Sequence, residues 1–351
     1  MHVHHLSHID LDGYGCQFVA SHFFKKIDFY NANYGKEVGA KLEEIARRTK
    51  EARPKEILWL ITDLNLTLAE CAFLEERAAQ LAQENKKVTI LLLDHHISGS
   101  DCAQKYPWYY LDNERSATKI TYETLLERFG LQAKKEAHTP WMREFVEVVN
   151  AIDLWKEESP CFELGKVLMR MVVETKELNR YMFDREHRDY KFGMIKAAKR
   201  YLFDSKGHIR LDNAMHAMKK RLLLGKVNEE TLDNIASLRQ VTLLGTKRES
   251  CMIEYRGHKG FLSYSMGSVS VLANAFLRAY PEFDFFMDVG PRGSVSLRAN
   301  HRCDVSRLSA ELFGGGGHKN AAGGRIEGFK ESFLYDEVKK NIEQMIKEKT
   351  Q

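Results

Sequence analysis

Aspartate and histidine residues recur in four short motifs in the first half of the chain, and each motif follows a run of apolar residues. The motifs are HIDLDG at residues 8–13, Asp63 after LWLIT, DHH at residues 94–96 after TILLL, and NAID at residues 150–153. Carboxylates and imidazoles are common ligands of divalent cations. Cations held in this way can activate water for the hydrolysis of a phosphate ester.

The segments that precede these motifs are predicted to be strands of one sheet. Residues 3–9, 56–61 and 88–93 are short apolar runs, and helical periodicity lies between them, as at residues 67–85. Such alternation predicts an α/β domain with a mostly parallel sheet. Ligands gather outside the carboxyl ends of parallel strands, so residues placed just after strands converge. We interpret all four motifs, including the one that ends at Asp153, as placed in this way.

The charge of the converging residues predicts bound cations. Four carboxylates in one place would repel one another and raise each other's pKa values. Two divalent metal ions supply four positive charges and would balance four aspartates, which are Asp10, Asp12, Asp63 and Asp153. The carboxylate-rich set favours manganese, with magnesium, cobalt or iron as alternatives. A single aspartate after a strand is often only a helix N-cap, so this prediction depends on the motifs occurring together.

The pattern changes twice along the rest of the chain. Residues 160–238 are rich in Met, Arg, Lys, Glu and Leu and predict a helical insert or connector. In residues 239–351, strand-like and helix-like segments alternate again, which predicts a second, smaller α/β domain. Its first strand is expected at Val241–Leu244. We therefore expect three regions, with the metal-binding α/β domain at residues 1–159.

A glycine run in the last region has the composition of an anion-binding loop. Gly314 to Gly317 lack Cβ atoms, so several backbone N–H groups can turn towards one anion, and His318 and Lys319 follow directly. Arg298 lies two residues after Ser296 on a predicted strand and could grip a phosphate with two hydrogen bonds. A flexible linker is the alternative interpretation of the run.

Composition argues against several classes of protein. The 351 residues have a net charge of +4, which does not indicate a track for duplex DNA. No apolar run approaches the ~20 residues that cross a membrane, and we expect no membrane partner. Six scattered cysteines indicate reduced thiols, so we expect a cytoplasmic protein. His2, His4 and His5 could serve as a metal tract, but their alternation with Val3 and Leu6 favours a first strand.

Taken in order, the motifs HIDLDG, Asp63, LLLDHH and NAID resemble those of the DHH phosphoesterase superfamily. The segments SLRA at residues 296–299 and GGGGHKNAAGG at residues 314–324 are similar to its DHH-associated C-terminal domain. The resemblance spans nearly the whole chain and is strongest to the nano-RNase and oligoribonuclease branch. It implies a metal-dependent hydrolase with its active site in the cleft between the two α/β domains.

The resemblance also implies roles for individual residues. One metal ion would be held by His8, Asp10 and Asp63, and a second by a set that shares Asp63 and adds Asp12, His95 and Asp153. Asp94 would orient an imidazole, and His96 would lie near the scissile phosphate as a general acid or orienting group. The implied substrate-binding residues are Arg298, Gly315, Gly316, Gly317 and His318. Ala299 departs from the family pattern, in which a serine often follows the arginine.

The expected activity is hydrolysis of oligoribonucleotides of a few residues by two-metal activation of a bridging water. The modest net charge fits short single-stranded RNA or small nucleotides, because long substrates profit from an extended basic track. Alternatives with the same chemistry are a phosphatase for 3′-phosphoadenosine 5′-phosphate and a phosphodiesterase for cyclic or linear dinucleotides. A catalytically silent nucleotide-binding regulator is an alternative of a different class. The sequence leaves the oligomeric state open, a homodimer included.

Overall fold

The computed structural model describes residues 1–267 and 269–350, and these form two compact units. The first unit comprises residues 1–175 and 191–215. The second comprises residues 176–190 and the described residues from 216 onwards. The α/β class, with a parallel sheet and a second sheet domain, is confirmed. The domain borders expected at residues 159 and 238 stay predictions.

The first unit is built on a five-stranded sheet in which all strands run parallel. The spatial order is β2-β1-β3-β4-β5. Its central strands are buried apolar runs, which is typical of a sheet covered on both faces. The strands are β1 (His2–Ser7), β2 (Ile27–Asn31), β3 (Glu56–Thr62), β4 (Lys87–Asp94) and β5 (Tyr109–Leu111).

Nine α-helices lie within residues 1–222, all of which the structure describes. Thr67 caps α3 in a reciprocal arrangement with Glu70, and Ser116 caps α5. The helices are α1 (Leu11–Ala20), α2 (Lys36–Glu51), α3 (Leu68–Gln83), α4 (Ser100–Lys105), α5 (Ala117–Phe129), α6 (Pro140–Asp153), α7 (Phe162–Val173), α8 (Asp184–Ala198) and α9 (Gly207–Leu222).

Asp153 does not follow a strand, and that part of the prediction was wrong. It is the last residue of α6, which begins with Thr139 as N-cap and Pro140 in its first turn. The apolar stretch before Asp153 is the buried face of this helix, and a short β-branched run cannot by itself be distinguished from a strand. The α6 terminus nevertheless brings Asp153 to the other three motifs.

The second unit contains a six-stranded mixed sheet in the order β10-β11-β9-β8-β7-β6. β7 and β8 pair in parallel, and the other neighbours pair antiparallel. Its elements are α10 (Leu232–Gly245), β6 (Met252–Tyr255), β7 (His258–Tyr264), α11 (Val269–Ala279), β8 (Phe285–Val289), β9 (Ser294–Ala299), α12 (Val305–Phe313), β10 (Gly316–His318), β11 (Ala321–Arg325) and α13 (Tyr335–Thr350).

In the C-terminal part, one local expectation was wrong and one alternative interpretation is excluded. Val241–Leu244 is not a strand but the last part of α10, because the helix that Thr231 caps continues through this apolar run. The glycine run is not a flexible linker: Gly314 ends α12 with a positive φ of 60°, and Gly316–His318 pairs with β11. None of the described helices has both the length and the apolar character needed to cross a membrane.

Candidate active site

The turn between β1 and α1 presents the first two aspartates. Asp10 is the N-cap of α1, and its Oδ1 accepts a hydrogen bond of 2.9 Å from the Gly13 N–H. A Cβ at Gly13 would lie 2.4 Å from the His8 carbonyl oxygen, so the turn requires glycine there. Asp12 lies in the first turn of α1 and is buried.

Asp12 is held in place by the N-terminus of α5. Its two carboxylate oxygens accept hydrogen bonds from the backbone N–H groups of Ala117, at 2.7 Å, and Thr118, at 2.8 Å. Unpaired N–H groups at a helix start favour a negative charge. One lone pair on each oxygen remains available for another ligand, because a carboxylate oxygen can accept more than one bond.

Asp63 connects the motifs at the centre of the sheet. It follows β3 with a φ of 55°, a conformation that aspartate adopts more readily than most residues, and only 1% of its surface is exposed. Its Oδ2 lies 3.7 Å from His8 Nδ1, and its Oδ1 lies 3.4 Å from His95 Nε2. One carboxylate therefore faces histidines from two different motifs.

Two adjacent groups of metal-ligating atoms result from this arrangement, and Asp63 connects them through its distance of 3.4 Å to His95. In the first group, His8 Nδ1 lies 2.9 Å from Asp10 Oδ2, and Asp63 completes the set. In the second group, His95 Nε2 lies 3.7 Å from Asp12 Oδ2 and 3.5 Å from Asp153 Oδ2. The two distances in the second group are too long for hydrogen bonds but are typical of atoms that bind the same cation at ~2.0–2.2 Å. The structure thus brings together all six residues predicted to bind metal.

The electrostatics of the site favour cation binding. Burial, together with the charges of Asp10 and Asp12, raises the pKa of Asp63 well above its usual range. Burial also raises the pKa of Asp153 to about 9, helped by the charges of Asp12 and Asp10. Asp10 behaves differently: burial opposes its ionisation, but the adjacent His8 lowers its pKa to about 2. A divalent ion would replace the protons on the carboxyls with raised pKa values.

Unsatisfied polar atoms give a further test of whether the residues fit a metal. Oδ2 of Asp63 and Oδ2 of Asp153 are buried and make no hydrogen bond within the described parts of the chain. A buried carboxylate oxygen without a partner is costly. Burial lowers the pKa of His95, which keeps the imidazole neutral and able to donate a lone pair. The donor set therefore fits divalent cations that accept oxygen and nitrogen ligands.

A second layer of hydrogen bonds orients His96. Asp94 Oδ1 lies 2.7 Å from His96 Nδ1, and Asp94 Oδ2 accepts a hydrogen bond of 2.8 Å from the Tyr109 hydroxyl. Burial disfavours the charged imidazole, yet the bond to Asp94 and its negative charge raise the pKa of His96. Asp94 thus lies beside an imidazole, which is the position expected from the sequence. His96 also forms a possible ligand group with Asp63 and His95.

Tyr34 belongs to this site, and the sequence prediction missed it. Its hydroxyl lies 3.0 Å from His96 Nε2, and its ring packs on the His8 ring with centroids 4.7 Å apart. Asn33, beside it, has its Oδ1 3.4 Å from His8 Nε2. Both residues follow β2, so the rule that identified the other motifs, polar residues just after a strand, would have found them.

The predicted substrate-binding residues lie together on one edge of the second sheet. Arg298 on β9 and His318 on β10 are both paired with Ala321 of the intervening β11, so the two residues occupy one cross-strand row and face the same side. Arg298 donates to the Ser270 Oγ at 2.5 Å and to the Leu297 carbonyl at 2.7 Å. Gly315, Gly316 and Gly317 lie in or beside β10. Their role in substrate binding stays a prediction.

Comparison with known proteins finds relatives that match more than nine tenths of this chain. No family model matches the chain. Over 345 residues the chain is 49% identical to a Helicobacter pylori protein named 3′,5′-cyclic-nucleotide phosphodiesterase, with 98% of this chain and 99% of the relative covered. The chain belongs to the family of this phosphodiesterase. It is therefore an enzyme of the phosphodiesterase class.

Two further relatives extend this result. A crystal structure of an uncharacterized protein from Helicobacter pylori G27 superposes on the phosphodiesterase chain described here with a TM-score of 0.94, at 48% identity and 99% coverage of both chains. Oligoribonuclease NrnB of Bacillus subtilis is 25% identical over 332 residues, which cover 91% of this chain and 72% of the relative. The phosphodiesterase and the oligoribonuclease support the resemblance to the DHH superfamily. Membership of the nano-RNase branch stays a prediction.

Proposed function

We propose that this phosphodiesterase hydrolyses the 3′,5′-phosphodiester bond of small nucleotides with two divalent metal ions, and that 3′,5′-cyclic nucleotides are its main substrates. The observation that carries the proposal is the position of Asp63, which belongs to one ligand group and lies 3.4 Å from His95 of the other. The substrate class is supported by the relative named for cyclic nucleotides, which matches along its whole length at 49% identity. Identity of this extent outweighs the sequence-based preference for short RNA.

The residues of the site divide into holders of cations and groups that act on the substrate. His8, Asp10 and Asp63 would hold one ion, and Asp12, His95 and Asp153, together with Asp63, would hold the other. Two such ions would supply Lewis-acid stabilisation and a water of lowered pKa, with manganese as the first choice. His96, held by Asp94, would donate a proton or a hydrogen bond to the leaving oxygen.

Short oligoribonucleotides are a second candidate substrate. The relative named as an oligoribonuclease supports it, although its identity to this chain is lower, at 25%. A linear dinucleotide contains the same 3′,5′-linkage as a cyclic nucleotide, so one metal site can serve both. The two candidates differ in what surrounds the phosphate, which in a linear substrate includes a second nucleoside.

A substrate panel tests the proposal. The purified chain would be assayed with 3′,5′-cyclic AMP and GMP, 2′,3′-cyclic AMP, di- to pentaribonucleotides, a cyclic dinucleotide and 3′-phosphoadenosine 5′-phosphate, each with Mn²⁺, with Mg²⁺ and with chelator. We expect the highest kcat/KM for the 3′,5′-cyclic mononucleotides and no hydrolysis with chelator. A higher kcat/KM for the linear ribonucleotides would favour the second candidate. Hydrolysis that persists in chelator would contradict the metal mechanism.

A further inference from the structure

A third cluster of metal-ligating side chains lies at the opposite end of β1 from the candidate active site. His2 and His4 are two positions apart on β1, so they project from the same face of the sheet. Asp28 lies on the edge strand β2, directly beside His4 in the parallel register. One ligand atom from each of the three residues lies within 4.8 Å of the others.

Both imidazole rings lie beside one carboxylate oxygen. His2 Nε2 lies 2.9 Å from Asp28 Oδ2, and the His4 ring lies beside the same oxygen, with its Nδ1 3.7 Å away. Ligand atoms around a tetrahedral ion with bonds of ~2.0–2.1 Å are about 3.4 Å apart. The two imidazole rings stack with centroids 4.8 Å apart and 21° between their planes, so they lie next to each other on one face of the sheet.

His4 provides a second, independent observation. Its ring is buried, with 1% of its side chain exposed, and its Nε2 makes no hydrogen bond within the residues that the structure describes. Its Nδ1 lies 3.0 Å from the Tyr30 hydroxyl, so Nε2 is the nitrogen left to bind an ion. A buried imidazole that bonds a hydroxyl through one nitrogen and has nothing at the other is the usual arrangement of a histidine that binds metal. Without a ligand, that nitrogen would be an unsatisfied buried polar atom.

Arg48 is a nearby positive charge, and it is partly neutralised. It lies over the Tyr30 ring at 5.8 Å, and its guanidinium is paired with Glu44 at 2.9 Å. Asp28 is half exposed, so water can complete the coordination. Two imidazoles and one carboxylate favour zinc and its neighbours copper and nickel over magnesium, calcium and manganese.

We propose that His2, His4 and Asp28 form a binding site for a transition-metal ion of the zinc type, which fastens the edge strand β2 to β1. The site is separate from the candidate active site, because four residues of extended strand place His4 about 13 Å from His8. The ion is structural, and it stabilises the pair of strands whose far ends carry His8 and Tyr34. This proposal does not depend on the proposed function.

Zinc binding to matched variants tests the site. The full chain without an N-terminal tag is stripped of metal, dialysed against Zn²⁺ alone, and analysed for bound metal per chain. The variant His2→Gln/Asp28→Asn changes two residues at least partly open to solvent and should bind one ion fewer, or bind it at least about ten-fold more weakly, while Mn²⁺-dependent hydrolysis stays within about two-fold. The control His138→Gln alters an exposed histidine outside every cluster and should bind like the wild type.

Asp63→Asn gives the opposite pattern, because it should abolish hydrolysis and still retain zinc at His2, His4 and Asp28. Equal zinc content of the double variant and the wild type overturns the proposal. Crystals of the wild-type chain soaked in Zn²⁺ provide a measurement that needs no variant. An anomalous peak in contact with His4 and Asp28 supports the site, and a peak in the active site without one here overturns it.

Discussion

Oδ1 of Asp63 lies 3.4 Å from Nε2 of His95, although the two residues follow different strands, β3 and β4. The two strands are neighbours in the parallel sheet, so their carboxyl ends meet at one edge. The other oxygen of Asp63 faces His8, which follows β1 on the opposite side. The central strand β3 therefore places one carboxylate between two histidines, and this position accounts for the strong effect expected from its replacement.

Asp63→Asn should reduce hydrolysis by more than about 100-fold, because the loss of mere supporting groups around a metal already costs 10–100-fold. Asparagine tolerates the positive φ of this position, so the variant should fold. Asp112→Asn is a matched control, since Asp112 follows β5 at the same sheet edge but pairs with Arg115. Its activity should stay within about two-fold of wild type. Activity in Asp63→Asn close to that of the control would contradict the shared-ligand arrangement.

Tyr109→Phe should make the Asp94 carboxylate less able to orient His96. The variant removes the hydroxyl that donates to Asp94 Oδ2 and leaves a buried carboxylate with one partner fewer, at a cost of about 1–3 kcal/mol. We expect kcat to fall about ten-fold and the thermal midpoint to fall as well. Tyr110→Phe changes an exposed tyrosine next to it and should leave kcat unchanged. An unaltered kcat in Tyr109→Phe would mean that Asp94 does not need this bond to orient His96.

Replacement of Tyr34 should separate the role of its hydroxyl from the role of its ring. Tyr34→Phe keeps the packing on His8 but loses the contact with His96, so kcat should fall about ten-fold with little change in KM. Tyr34→Ala also removes the ring and should raise KM further. Steady-state kinetics with a cyclic nucleotide measures both effects. Identical parameters for Tyr34→Phe and wild type would exclude a part for the hydroxyl.

The metal-free chain should lose stability as the pH rises. A carboxyl whose native pKa lies above its unfolded value holds its proton more tightly in the native state, so its contribution is lost as the pH passes the native pKa. Asp153, with its pKa raised to about 9, and Asp63 should therefore lower the free energy of unfolding progressively between about pH 4 and pH 9. Urea unfolding in chelator measures this slope, and Asp153→Asn should flatten it.

Manganese should reverse this loss. An ion that binds only the native chain adds about 2.7 kcal/mol to the free energy of unfolding at one hundred times its Kd. Because the ion displaces protons from Asp63 and Asp153, the gain should be larger at pH 8 than at pH 6. Melting curves with and without Mn²⁺ at both pH values measure it. A gain that does not grow with pH would contradict proton displacement.

Much of the site could be predicted because strand ends are visible in local sequence. The apolar runs before Asp63 and Asp94 have the length and continuity of buried parallel strands, and the parallel topology then brings their ends together. Asp153 was correctly predicted to lie at the site, but for the wrong reason, since the apolar run before it is the face of a helix. The run at Val241–Leu244 misled in the same way, because short apolar segments have no distinctive period.

The sequence by itself determined the α/β class, the order of the motifs and the identity of the residues around Asp63, because these follow from periodicities and residue types that are local along the chain. Only the tertiary structure decided which residues from separate elements meet: Tyr34 on His96, Tyr109 on Asp94, and Asp28 beside His2 and His4. These contacts depend on the order and register of strands. That order is set by packing over the whole sheet, and no short stretch of sequence records it.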